Sequence, residues 1–387
     1  MDQHELLPMD RNARLNRLRA SLDEVGCDAL IVTKPVNIRW LTGFTGSNGT
    51  VIVTVDSLAV VTDGRYETQV NQQLASAGVE ARVTITRDIE QPVLDALAGA
   101  LRVGLESEHV SWAAMRRFAR MLEDRELVPT VELVELERRR KDPGEIQRLR
   151  LAASIADQAL ARVRPELNAG RSELAMARML ESAMMDLGAD DLSFPTIVAA
   201  GPNSAKPHAT PSDRVIEPGD MVVIDFGARI DGYGSDMTRS FLLGTPSDRQ
   251  QAVFDAVIDA QAAGVAAVRD GVDEREIDRV CRQSLTEHGL GDAFIHGTGH
   301  GIGLEIHENP ILSSRATGIL RSGYVVTVEP GAYLPDLGGV RIEDSVVVTT
   351  SGCEPITLSS KSPTVGRPRP GGFNTYSEED HGNDQHQ

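Results

Sequence analysis

Five side chains in the second half of this 387-residue chain have the types and neighbours expected of metal ligands: Asp225, Asp236, His300, Glu329 and Glu343. They fall in the segments IDFGARIDGYGSDMTRSF, HGTGHGIGLEIHENP, TVEPGAY and GGVRIEDSV. Asp225 follows the apolar run MVVI, Glu329 ends YVVTV, and Glu343 has apolar residues on both sides in VRIEDSVVV. Carboxylates crowded into such surroundings repel one another and are costly to desolvate. Two divalent cations would cancel the charge of the four acids, so the chemistry expected is two-metal hydrolysis.

The elements that must position these groups are partly readable. Asp231-Gly232 is a two-residue hairpin signal. A turn there sets Ile230 opposite Tyr233 and Asp225 opposite Thr238, with Asp236 on the same face as Asp225 at the roughly 7–8 Å spacing of diagonal neighbours. Carboxylates so spaced can converge on metal ions about 3.5–4 Å apart. The competing readings are a surface or turn role for this pair, and a purely structural Arg341–Glu network for Glu329 and Glu343. His296, His300 and His307 are separated by glycines. That spacing suits a loop and short strand where backbone approaches a ligand, not a helical HExxH motif; His300 is the preferred ligand. His208 lies in the Pro-flanked loop KPHAT, where an exposed histidine without a role is an equal reading.

Helices over about 143–163 and 172–187 precede strands that include MVVIDFGARI and SDMTRSFLL. Helices over about 247–269 and 273–288 precede strands that include YVVTVEPGAY and GVRIEDSVVVT. Helix–helix–sheet, repeated, predicts a duplicated α+β domain with the acids at the interface of its halves. Asp142, Pro143 and Glu145 supply N-cap, N1 and N3 signals for its first helix. Upstream, an amphipathic helix over about 10–26 carries Leu15, Leu18 and Leu22 on one face. The runs DALIVTK, VIVTV, LAVVT, VTITR and LRVGLE, with helical stretches near 65–77 and 111–122, describe a smaller α/β domain. The expected organisation is 1–137, 138–360 and a disordered Pro/Gly-rich, then acidic, tail at 361–387; His381 and His386 in that tail receive no role. The basic run at 138–141 reads as a solvated linker.

A formal net charge of −18 argues against nucleic-acid and anionic-membrane partners. No stretch approaches the ~18 apolar residues of a membrane span, and the first twenty residues lack a signal-peptide core. Cys27, Cys281 and Cys353 are few and far apart, so neither a disulfide framework nor a thiolate zinc site is implied. A cytoplasmic enzyme is expected.

The ordered set PHAT, DFG, SDMTR, GTGHGIGLEIHE, VEPG and RIED resembles the pita-bread metallopeptidases, which include Xaa-Pro aminopeptidases, prolidases and methionine aminopeptidases. The likeness spans about 142–359, and the whole chain before the tail looks like the two-domain branch acting on Xaa-Pro bonds. It implies a pita-bread catalytic domain behind a creatinase-like N-terminal domain, and a homodimer. It also implies that Asp225, Asp236, His300, Glu329 and Glu343 bind two metal ions, that His208, His307 and Arg341 line the substrate site, and that Glu329 is the general base. Oxygen-rich ligation with one histidine suits Mn²⁺, with Co²⁺, Fe²⁺ or Zn²⁺ as alternatives. LTGFTGSNG and VTDGRYE resemble Xaa-Pro aminopeptidase segments more than prolidase ones, so the expected activity is release of an N-terminal residue from proline-containing peptides. The alternatives are an Xaa-Pro dipeptidase (prolidase), with Arg315 or Arg321 on the product carboxylate, a metal-free creatinase-like enzyme, and a catalytically inactive pita-bread binding protein.

Overall fold

The structure, a computed structural model, describes residues 6–167 and 170–365. Helix α1 (Arg11–Glu24) buries Leu15, Leu18 and Leu22, spaced three and four residues apart on one helical face. It covers a mixed sheet made of β1 (Ala29–Val32), β2 (Thr50–Thr54), β3 (Leu58–Thr62), β4 (Arg82–Ile85), β5 (Arg102–Glu106) and β6 (Glu126–Thr130), ordered β4-β3-β2-β1-β5-β6. ALIV, TVIVT and LAVVT are apolar without interruption because both sheet faces are covered. Leu30, Val32, Val51 and Val53 face α1, α2 (Pro35–Thr42), α3 (Glu67–Ser76) and α6 (Leu133–Arg138). Ala29, Ile31 and Ile52 face α4 (Glu90–Ala96) and α5 (Trp112–Met121).

The second domain opens with α7 (Pro143–Val163) behind a complete capping box: Asp142 accepts from Glu145 N, and the Glu145 carboxylate accepts from Asp142 N. Helices α7 and α8 (Glu173–Asp186) pack on β7 (Asp191–Leu192), β8 (Ile197–Ala200), β9 (Met221–Phe226), β10 (Ala228–Ile230), β11 (Tyr233–Gly234) and β12 (Met237–Leu242). Helices α9 (Asp248–Ala267) and α10 (Glu274–Glu287) pack on the second set. That set comprises β13 (Gly299–Gly301), β14 (Glu308–Leu312), β15 (Val325–Val328), β16 (Gly331–Leu334), β17 (Gly338–Arg341), β18 (Asp344–Val348) and β19 (Cys353–Pro355). Each half has its own apolar core, as a duplicated pita-bread domain requires. The hairpin forms in the expected register, Ile230 opposite Tyr233 and Asp225 opposite Thr238. Asp231 and Gly232 take φ of 45° and 81°, the left-handed pair that a tight turn needs. No described helix is long and apolar enough to cross a membrane.

Two expectations are corrected. The run at 138–141 is not a solvated linker: Arg138 and Lys141 are buried, because Glu305 and Glu308 lie against them. The tail does not become disordered at Lys361. Lys361 Nζ lies 2.5 Å from the buried Asp344 carboxylate, Leu242 N donates to Pro363 O, and Val365 packs on the core of the first half. Residues 366–387, the rest of the expected tail, lie outside the described residues.

Asp142 also accepts two hydrogen bonds from Arg14 of α1, so one carboxylate starts α7 and ties it to the first domain. Asp142→Ala should therefore cost roughly 2–4 kcal/mol in urea unfolding, a cap worth ~1 kcal/mol plus a buried arginine short of a partner. A loss below about 0.5 kcal/mol, the size of an ordinary surface change, would mean that this residue ties nothing.

Candidate metal centre

One cavity of ≈ 340 Å³ is lined by all eight residues expected at the site: His208, Asp225, Asp236, His300, His307, Glu329, Arg341 and Glu343. Most sit at strand ends and breaks. Asp225 is near the end of β9, Asp236 falls between β11 and β12, Glu329 follows β15, and Glu343 separates β17 from β18. His300 is central in β13, between two glycines. A Cβ at Gly299 would overlap the Thr327 carbonyl oxygen and one at Gly301 the Asn309 carbonyl oxygen, so only glycine lets the neighbouring strands close on the histidine. The halves are joined at the acids themselves: Glu343 N donates to Thr238 O (3.2 Å), Thr238 Oγ1 to Glu343 Oε2 (2.7 Å) and Ser345 Oγ to Asp236 O (2.8 Å).

Asp236, His300 and Glu343 each offer a ligand atom within 4.8 Å of the others. The His300 tautomer is fixed by its neighbour. Nδ1 faces the Gly301 carbonyl at 3.1 Å, and a carbonyl only accepts, so Nδ1 carries a proton and Nε2 faces the cavity, where it can hold a second proton toward Glu329 or offer its lone pair to an ion. Nε2 lies 3.3 Å from Glu329 Oε1 and 3.6 Å from Asp236 Oδ2. Asp225 stands apart, with one oxygen on the Arg341 guanidinium and the other, Oδ1, without a hydrogen-bond partner. Glu343 Oε1 is also unpartnered. Unmatched carboxylate oxygens in a buried cavity call for cations.

The acids' proton affinities agree. Burial, then the charges of Glu343, Asp225 and Glu329, raises Asp236 well above the ordinary carboxylate range. Burial, then Glu329 and Asp225, does the same to Glu343. Burial also raises Asp225, though Arg341 opposes it. Burial pushes Glu329 upward too, but the hydrogen bond and charge of His300, with Arg341, outweigh it and hold Glu329 at about 2. The donor set therefore fits a pair of divalent ions, with Glu329 the acid most readily ionised.

The partners of several functional neighbours were not legible beforehand. Arg341 is 2% exposed and donates to Thr238 Oγ1, Tyr333 Oη, Pro207 O and Asp225. Because Tyr333 Oη accepts from Arg341, its own proton is directed to His296 Nε2, 2.9 Å away, while His296 Nδ1 donates to Gly297 O. Thr327 Oγ1 accepts from His300 N and lies 3.3 Å from Glu329 Oε1. Of these, Thr238 had a signal in its place opposite Asp225, His296 in its glycine-separated spacing from His300 and His307, and Arg341 in the RIED motif, whereas Tyr333 and Thr327 had none. His208 is exposed at the mouth, next to the Pro207 carbonyl held by Arg341. The His307 ring meets that of His300 edge-on, centroids 4.4 Å apart. Arg315 and Arg321 are not among the cavity-lining residues; Arg321 faces Asp270 at 3.4 Å.

Comparison with known proteins places this arrangement. Residues 147–350 match the metallopeptidase family M24 and residues 14–139 the creatinase/prolidase N-terminal domain. The chain belongs to metallopeptidase family M24, whose members are dinuclear metal-dependent enzymes. It is 34% identical to an Xaa-Pro dipeptidase of Pyrococcus furiosus over 348 residues, 90% of this chain and 98% of that one. A solved structure of an Xaa-Pro dipeptidase from Bacillus anthracis superposes with a TM-score of 0.87 at 39% identity, over 91% of this chain and 99% of that one. An X-Pro aminopeptidase structure from Thermotoga maritima gives 0.81 at 34% identity, over 89% and 99%.

Removing one carboxylate of the compact group should remove metal without unfolding the chain. Asp236→Ala should retain under half the metal of the parent protein by elemental analysis, with an unchanged circular dichroism spectrum. Full metal content in that variant would exclude Asp236 from the centre.

Proposed function

We propose that this chain is an Mn²⁺-dependent Xaa-Pro dipeptidase, hydrolysing the bond before proline in dipeptides. The observation that carries the reading is the convergence of four carboxylates and four histidines on one cavity. Its ≈ 340 Å³ is near the lower end of the roughly 300–1,000 Å³ of ligand pockets, which suits a dipeptide better than a longer chain. Relatives named Xaa-Pro dipeptidase, at 34% and 39% identity, favour this over the aminopeptidase activity expected from LTGFTGSNG. Neither arginine considered for the product carboxylate lines the cavity, and Arg321 faces Asp270, so neither is assigned that role. A homodimer belongs to the same reading and is testable by sedimentation equilibrium.

Asp225, Asp236, His300, Glu329 and Glu343 would hold the two ions, which supply Lewis acidity to the scissile carbonyl and acidify the attacking water. Glu329, beside the His300 ring, takes the water proton at a carboxylate oxygen, then delivers it to the proline nitrogen. His208, at the mouth, donates to the carbonyl oxygen as it gains charge. His307 holds the substrate backbone. Arg341 has its donors committed to protein groups, so it acts by fixing Asp225 and the Pro207–His208 backbone. Phe194, Ile197, Ile306 and Ile311 give the cavity apolar walls for the proline ring and its neighbour.

With Mn²⁺, an Xaa-Pro dipeptide should be turned over and an Xaa-Pro-Yaa tripeptide should not. Preferential cleavage of the tripeptide would restore the aminopeptidase reading, and turnover of neither would favour a binding protein. His208→Ala should lower kcat about a hundredfold, near 3 kcal/mol, with little change in bound metal. An unchanged kcat would remove His208 from oxyanion stabilisation.

A further inference from the structure

We propose that Arg138, Lys141 and Lys34 are positioning residues for this reaction: they clamp the loop at 303–308 so that His307 faces the cavity. The proposal rests on the reading of His307 as a substrate-binding group.

The loop is closed on itself by Glu308, whose buried carboxylate folds back to accept from Glu305 N at 3.0 Å. The same carboxylate takes the Arg138 guanidinium and, at 3.1 Å, Lys141 Nζ. Arg138 also donates to Glu305 Oε2 (3.0 Å) and to Asn37 Oδ1 (2.8 Å). Lys34 Nζ bridges Glu305 (2.9 Å) and Glu135 (3.1 Å). Just beyond the loop, Asn309 Nδ2 donates to Glu132 Oε1 at 2.6 Å. Every one of these outside partners comes from the first domain or the connection that follows it. Leu304, at the loop's start, packs against the apolar core of that domain.

Ion pairs this buried are a poor investment for stability alone, since apolar replacements of similar volume commonly do as well or better. What they fix is geometry. Apolar packing holds Leu304 and Ile306, but behind His307 lies a second cavity of ≈ 190 Å³, lined by Lys34, Arg138, Glu305 and His307 itself. His307 thus stands between two cavities, with one neighbour in sequence, Glu308, anchored by two buried cations. Misplacement of a positioned group by about 1 Å can cost a hundredfold in rate.

The test is a mutant cycle on the metal-loaded full chain, reading kcat/KM on an Xaa-Pro dipeptide and metal content. Arg138→Met and Glu305→Gln are each made with and without His307→Ala. Glu305 is 38% exposed, so its variant keeps the test open should the arginine variant fold poorly. Each single change should lower kcat/KM on the order of 10- to 100-fold with metal content unchanged. In the His307→Ala background neither should add more than about twofold. Full multiplication of the effects, or parental activity in both single variants, would overturn the proposal. If His307→Ala alone is silent, the role given to His307 fails first and the clamp has nothing to position.

Discussion

The repulsion among four buried carboxylates organises this molecule. Asp225 is presented from within β9, and the other three acids by backbone that leaves regular sheet, before β12, after β15 and before β18. Without cations, the crowding is relieved by the Arg341–Asp225 ion pair, by protons held on Asp236 and Glu343, and by the contact of His300 with Glu329. The two halves must therefore be stapled together by other means before any ion arrives. The hydrogen bonds of Thr238, Ser240 and Ser345 across the seam do this, and Arg239 reaches Asp344 from the same strand.

The convergence of the candidate ligands on one cavity was legible because their signals are local in sequence. Each ligand lies in a short apolar or glycine-rich segment, and one turn dipeptide set the register that pairs Asp225 with Thr238. The long helices were legible through their caps and period. Helix α2 was not, since Asn37, Ile38, Trp40, Leu41 and Thr42 are all buried and leave no polar face to give a period. Strand β6 was hidden by Pro129, which an edge strand tolerates. Tyr333 and Thr327 look like ordinary strand residues, and their histidine partners, His296 and His300, lie 37 and 27 residues away.

The misreading of the basic run at 138–141 has a general cause. Consecutive charges look solvated unless the counter-charges are known, and here Glu305 and Glu308 come from more than 160 residues further on. Through Glu308, the buried Arg138 and Lys141 tie the junction between the domains to the loop whose His307 lines the cavity. A chain with only the second domain would leave Glu308, Glu305 and the loop bearing His307 without cations, so the first domain contributes to the site through charge as well as through its apolar core.

Arg341 sharpens the account of charge. A buried guanidinium seems out of place among cation ligands, yet it offsets one of the four carboxylates and leaves a deficit of three. Two divalent ions would more than cover that, and the cavity would carry one unit of excess positive charge. An oxygen that gains negative charge during hydrolysis meets that excess in surroundings of low dielectric, where it counts far more than in water. Replacing Arg341 by a neutral residue would abolish the excess and free Asp225 to turn. The guanidinium is therefore better understood as setting the cavity's charge, and holding Asp225 and the Pro207 carbonyl in place, than as a hand extended to the substrate.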